Sequence, residues 1–477
     1  MTTIRVTPER LGTTAPPTTL GTAGLVAVLM AYGLPVFNFF VVTVALGSLR
    51  ADLGAGPAVL QLVVAAFGVA YASTVVLGGR LGDNHGRRRV LRVGLVAMAV
   101  ATVVCALAPN PTILIVGRVL QGFGAALVAP QGLSIIQAST RGEGRAKALA
   151  WFGAMAGLAT CLAFVAGGLL VASDLGGLGW RLVFWFEVLV AALALLASRA
   201  IPESGADGRL GLDGTGVALL GVTVTLVVLP LTEGRTAGWP LWTWLMLAAS
   251  VPTALAFAQR EKQVERRGGH AVVPPSIVAR TTMRLGLGIT ALFFTGFGGF
   301  MFVFAVAAQA AADMGPLGIG VALLPFAIAF LVSSLVGART MTDAPAGLMR
   351  RGAIMATVGF TLTAGVMALT WPDFSAVGLA VPLAVVGLGQ GWLVVPLFST
   401  VLAGVPSHQA GMGGGLMITT MQMALGLGSA VVGTLFLEIG GPDGGVLPML
   451  VVLGVVAALC ATVAALAHRL HRLPLPA

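Results

Sequence analysis

Two ionisable side chains lie where a charge is expensive: Arg118 and Glu187, each inside a long apolar run. A group of this kind within hydrocarbon marks a functional site by default. Arg118 stands a few residues into a run that opens near residue 112, and Glu187 stands a similar distance past Arg181, which opens another. At about 1.5 Å per residue both sit roughly 9 Å below the same surface. Equal depth and opposite charge allow a pair, with Glu187 titrating as cargo or a proton enters and Arg118 as its charge partner. A static pair, or a Glu187 side chain reaching outward to water, is the competing reading. Uncharged polar groups form a second set: Asn38, Thr43, Gln121, Gln390 and Gln422. Each can hydrogen-bond a solute without fixing its charge, or join two helices for about 1 kcal/mol or less. Phe39 and Trp392 can add an apolar wall to the same cavity. A third set, Gly79, Asp83, Gly86, Arg87 and Arg88, is compressed into one short segment. Asp83 and Arg87 are spaced to pair if a helix continues that far, while Gly79 allows close approach of a neighbouring helix.

Fourteen apolar runs must position these residues. The chain of 477 residues is 57% hydrophobic and only 9% charged, far too little charge to coat a soluble protein. A membrane span needs roughly 20 mostly apolar residues. Runs of that length begin at 22, 58, 90, 112, 147, 181, 214, 239, 285, 316, 351, 375, 410 and 445. With residue 1 in the cytoplasm, all 27 basic residues except Arg50, Arg181, Arg235 and the embedded Arg118 fall on the cytoplasmic side. One missed or invented span would destroy that segregation, so the positive-inside rule predicts fourteen spans with both ends inside. The net charge of +10 is then a topology signal, and a nucleic-acid partner is not needed to explain it. The expected organisation is a cytoplasmic tail (1–21), a six-helix bundle (22–200), an inserted helix pair with a cytoplasmic linker (201–284), a second six-helix bundle (285–467) and a basic cytoplasmic tail (468–477). The segment after span 10, with Gly337, Arg339, Asp343, Arg350 and Arg351, echoes the one after span 2. Parallel halves around a central cleft are one recurring transporter plan.

Several classes are excluded or disfavoured. Cys105, Cys161 and Cys460 all fall in apolar runs, without disulfide or metal-ligand spacing. No G-x-x-x-x-G-K-[ST] is present, so the glycines of 411–415 suit helix packing rather than phosphate binding. No H-E-x-x-H and no nucleophile with a plausible base points to an enzyme. The expectation is therefore no cofactor and no metal. His408 reads as a solvated residue in a short cytoplasmic loop.

The stretch Gly79-Arg80-Leu81-Gly82-Asp83-Asn84-His85-Gly86-Arg87-Arg88 resembles the major facilitator superfamily loop signature G-x-L-x-D-x-x-G-R-[RK]. Arg118-Val119-Leu120-Gln121-Gly122-Phe123-Gly124-Ala125-Ala126 is similar to that family's R-x-x-Q-G-x-G-A-A. With fourteen spans, the chain resembles the drug:proton antiporter branch, which covers nearly its whole length. The resemblance implies an all-α membrane protein of the bacterial inner membrane, two six-helix bundles plus an inserted pair. It also implies a monomer that exports small amphipathic compounds, antibiotics among them, by alternating access coupled to protons. The first signature would latch the halves while the cytoplasmic side is closed.

Three departures from the branch stand out. Its span-1 pattern D-x-T-[IV]-V-N-V-A-L-P begins here with Asn38, so the span-1 carboxylate is expected to be missing and strictly cationic cargo disfavoured. The span-5 pattern G-x-x-x-G-P-x-x-G-G reads Ala159 to Gly168 with Phe164 in place of Pro, which leaves the helix bend unspecified. Glu187 occupies the Asn position of W-R-x-x-F-x-x-N-x-P. These changes leave a second reading open, a uniporter or an exporter of lipid-like or metabolite cargo. A membrane enzyme and a non-transporting sensor are more remote.

Overall fold

A computed structural model describes residues 20–204, 211, 213–234, 237–340, 345–403, 405 and 410–472. His408, Arg235, Asp343, nearly all of the N-terminal tail and the end of the C-terminal one lie outside these residues. The first bundle contains α1 (Thr22–Leu53), α2 (Pro57–His85), α3 (Arg87–Ala106), α4 (Pro111–Ser139), α5 (Gly142–Ser173) and α6 (Arg181–Ala197). The inserted pair is α7 (Gly214–Glu233) and α8 (Leu241–Arg266), followed by a single turn, α9 (Pro275–Val278). The second bundle contains α10 (Thr281–Ala310), α11 (Pro316–Thr340), α12 (Pro345–Thr370), α13 (Ala376–Ala403), α14 (Ala410–Glu438) and α15 (Leu447–His471). Fourteen of these helices are long and apolar enough to cross a membrane.

Hydropathy locates the helices well and their ends less well, because hydrogen bonding continues past the point where apolar residues stop. α2 runs on to His85 and α8 to Arg266, beyond the apolar runs. The segment expected as a loop after span 2 is almost entirely helical. Gly86 alone separates α2 from α3, with φ of 92°, a conformation open to glycine and strained for other residues. Asp83 and Arg87 therefore do not share one continuous helix as the spacing suggested. They pair across the Gly86 turn, Arg87 Nη2 to Asp83 Oδ1 at 2.8 Å.

In the first bundle α1 packs on α5 and α6, and α4 packs on α2 and α3; in the second, α10 packs on α14 and α15, and α13 on α11 and α12. Apolar side chains stay exposed along outer helix faces, such as Val93 and Val100 on α3, Leu189 and Leu193 on α6 and Ile354, Val358 and Leu362 on α12. Such faces suit lipid contact and would be a liability in water. The bundles meet along two seams, α5 against α11 and α2 against α14. In the first seam Cys161 Sγ lies 3.7 Å from Leu323 O. Phe152 of α5 also meets Phe398 of α13 edge-on, ring centroids 6.0 Å apart. The inserted α7 lies over the other seam and touches both α2 and α14.

Candidate functional site

Four helices converge on a polar cluster sealed in the first bundle. Asn38 (α1), Arg118 and Gln121 (α4) and Glu187 (α6) are each at most 1% exposed, and Thr102 of α3 is 2% exposed. The start of α6 is pinned to the end of α1, where Asp52 accepts hydrogen bonds from Trp180 Nε1 (3.0 Å) and Arg181 Nη1 (2.5 Å). Pro35 interrupts the backbone ladder of α1 one turn before Asn38. Gly122 and Gly124, beside Gln121, bring α4 against the backbones of α2 and α3. Close backbone contact is what lets short polar side chains reach one another here.

Arg118 and Glu187 do not touch directly; two amides stand between them. Asn38 Nδ2 donates to Glu187 Oε2 at 2.6 Å, and Arg118 Nη1 donates to Asn38 Oδ1. Arg118 Nη1 also donates to Gln121 Oε1 at 2.9 Å, and Gln121 Nε2 reaches Glu187 Oε2 at 3.4 Å and Thr102 Oγ1 at 2.8 Å. Arg118 Nε donates to Val63 O at 3.0 Å, and the guanidinium carbon lies 4.6 Å from the Phe67 ring centroid. Two atoms have no hydrogen-bond partner, Arg118 Nη2 and Glu187 Oε1. The cluster is electrically balanced with Glu187 ionised. It carries one uncompensated positive charge with Glu187 protonated, because the guanidinium keeps its proton. Since an unpaired buried charge costs several kcal/mol, proton uptake here favours rearrangement or water entry.

Asn38, read from the sequence as the sign of a missing span-1 carboxylate and as a cavity residue, has a carboxylate beside it all the same. It comes from α6 as Glu187, in hydrogen-bond contact with the Asn38 amide. The branch pattern has its acid on span 1 and its amide on span 6; here the amide is on α1 and the acid on α6.

The other cavity candidates are scattered. Phe39 is half-buried, 5.1 Å from the Phe40 ring and 6.4 Å from the Phe67 ring. Thr43 spends its hydroxyl on Phe40 O of its own helix, at 2.6 Å. Gln390 is buried on α13 with Oε1 unpartnered, and Trp392 is half-buried with Nε1 unpartnered. A side chain at Gly337 of α11 would meet that indole. Gln422 is half-buried on α14. Among the described residues none of these last three bonds to the Arg118–Glu187 cluster.

The Gly79–Arg88 segment is brought to one end of the bundle. Gly79, Asp83 and Arg87 are buried. Arg87 Nη1 reaches Ser134 O of α4 at 3.5 Å, and its backbone N–H donates to Ser204 O at 2.8 Å. Arg88 Nη1 donates to Ile201 O (3.1 Å) and its backbone N–H to Glu203 Oε1 (3.0 Å), beside the Gly86 turn. Sequence reading passed over Thr102 and Cys105, whose thiol sits 3.5 Å from Gln121 Oε1. It also passed over Arg80 and Glu261, buried although both lie in charged stretches. In an apolar run a threonine or cysteine carries no signal of its own, since either can bond back to its own helix.

The sequence profile of the Major Facilitator Superfamily matches residues 28–429. The chain is 33% identical to a probable actinorhodin transporter of Streptomyces coelicolor, over 90% of this chain and 75% of that protein. It is 33% identical to a puromycin resistance protein of Streptomyces alboniger (86% and 81% covered) and 32% identical to a cephamycin export protein of Amycolatopsis lactamdurans (87% and 85%). Among solved structures it resembles the human organic anion transporter MFSD10, with a TM-score of 0.66 at 18% identity, covering 93% of this chain and 99% of that one. The proton:xylose symporter XylE follows with a TM-score of 0.65 at 14% identity, covering 94% and 95%. Fourteen membrane-length helices in two bundles of six plus a pair, a sealed polar cluster and these similarities agree: the chain is a multi-pass membrane transporter that belongs to the Major Facilitator Superfamily, within its drug-efflux branch.

Proposed function

We propose that the protein exports small amphipathic, antibiotic-like compounds across the bacterial inner membrane by alternating access, driven by inward proton movement, with Glu187 as the coupling carboxylate. The observation that carries this is the Asn38–Arg118–Gln121–Glu187 cluster, a fully buried acid whose two protonation states leave different net charge. The names of the similar proteins, which speak of actinorhodin, puromycin and cephamycin, support the cargo class. One proton entering down a potential of about 100 mV contributes roughly 2.3 kcal/mol, and one pH unit adds about 1.4 kcal/mol. Together they sustain a gradient of several hundred-fold for a neutral solute. Phe39, Gln390, Trp392 and Gln422 are assigned to the cargo path, and the Gly79–Arg88 segment to the latch that holds the cytoplasmic end shut. The protein works as a monomer with both termini in the cytoplasm.

Proteoliposomes loaded with puromycin, actinorhodin or cephamycin test this. A pH gradient drives net transport of at least one of them in the wild type. Glu187→Gln lowers gradient-driven accumulation at least tenfold and keeps equal-concentration counterflow. Net transport in the wild type that ignores both gradient and uncoupler favours the uniporter reading, for which the span-5 pattern with Phe164 in place of Pro is the supporting observation.

A further inference from the structure

Arg80 stands at a variable position of the Gly79–Arg88 signature, yet it is 3% exposed and its guanidinium is bound to backbone carbonyls. Nε and Nη2 donate to Val272 O at 3.2 and 2.9 Å, and Nη2 also donates to Ala271 O. Those carbonyls belong to the connecting segment between α8 and α9, which leads within a few residues into α10, the first helix of the second bundle. The segment is also held by Glu261 of α8, 1% exposed, whose Oε2 accepts the Val273 N–H at 2.6 Å. Val272 and Val273 also pack with Val76 of α2, and Val217 of α7, Phe257 of α8 and Leu416 of α14 close around them. One buried arginine of the first bundle therefore grips the backbone that enters the second. The grip lies at the end of the molecule where Val76 also faces Gly415 of α14 across the seam.

We propose that Arg80 is a positioning residue for the conformational cycle: with Glu261 it clasps residues 271–273 and holds the α2–α14 seam shut at the end carrying Asp83 and Arg87. Opening that end requires the guanidinium to release both carbonyls. A bidentate guanidinium suits two successive carbonyl oxygens, whereas an ammonium meets them as a point charge. The clasp also gives the inserted pair a mechanical part, since α8 supplies Glu261 and α7 covers the same seam through Val224 and Val228 against Ala72 and Met423. The proposal rests on the alternating-access reading and is independent of cargo and proton.

Spin labels on exposed Arg89→Cys and Arg351→Cys report the separation of the two bundles at this end. The three native cysteines are buried and escape labelling. In full-length protein in lipid, the wild type shows a major short and a minor long distance. Arg80→Ala raises the long-distance fraction at least threefold, Glu261→Ala shifts it the same way, and Arg80→Lys recovers at least half of the wild-type distribution. A wild-type distribution that is shared unchanged by Arg80→Ala and Glu261→Ala overturns the clasp. If Arg80→Ala does not fold, Glu261→Ala carries the same criterion. A single distance in the wild type under every condition overturns the alternating-access reading instead, so the two failures are distinguishable.

Discussion

Arg118 uses its guanidinium in several directions at once: to the Val63 carbonyl, to the Asn38 and Gln121 amides, and over the Phe67 ring. Removing one member of a buried charge pair typically costs about 3–5 kcal/mol, because the other is left uncompensated. Arg118→Gln should therefore lower unfolding stability in mild detergent by about that much. Arg118→Lys should fall between, since a lysine keeps the charge and loses the fork. Unfolding of Arg118→Gln at the wild-type midpoint would show that the cluster contributes little to the fold. At this scale the sequence was partly legible. Arg118 and Glu187 announced themselves because a charge inside an apolar run is conspicuous. That Asn38 and Gln121 stand between them was not legible, since the contact joins α1 to α6 over 149 positions and hydropathy carries no information on which faces meet.

Between helices, close packing rests on absent side chains. A Cβ at Gly78 of α2 would lie 2.0 Å from the Ala126 carbonyl oxygen of α4, and one at Gly428 of α14 would lie as close to the Thr295 carbonyl of α10. Backbone cannot yield as a flexible side-chain end does, so the helices must separate. Overpacking of this kind costs about 1–3 kcal/mol. Gly78→Ala and Gly428→Ala should each lower the thermal midpoint in detergent, whereas Gly47→Ala, with nothing within 4 Å, should leave it unchanged. Equal midpoints for all three would contradict the close packing of α2 on α4 and of α14 on α10. Which helices exist was readable from apolar run length alone. Their extensions were not, because the charged ends of α2 and α8 are held by tertiary bonds, Arg80 to residues 271 and 272 and Glu261 to Val273.

Across the whole molecule, the separation of arginine from apolar surface predicts an orientation. Among the described residues, basic side chains gather at one end of the bundles, while Arg50 and Arg181 stand at the other. The positive-inside rule turns that asymmetry into sidedness. A reporter joined after residue 238, between α7 and α8, should be periplasmic, and one joined after residue 270 cytoplasmic. The reverse pattern would invert both termini and the direction of transport with them. The fold was legible at this scale because run count and charge asymmetry constrain each other. The seam-covering position of α7 was not, since its faces look alike in sequence while the structure sets one of them against Ala72 and Met423.

The exchange of acid and amide between α1 and α6 gives the most direct test of proton coupling through this cluster. Proton and puromycin fluxes are measured together in proteoliposomes for the wild type, Glu187→Gln, and the double variant Asn38→Asp with Glu187→Asn. The wild type and the double variant should move protons with cargo in a fixed ratio, while Glu187→Gln exchanges cargo without protons. Glu187→Gln moving protons with cargo at the wild-type ratio would contradict the assignment.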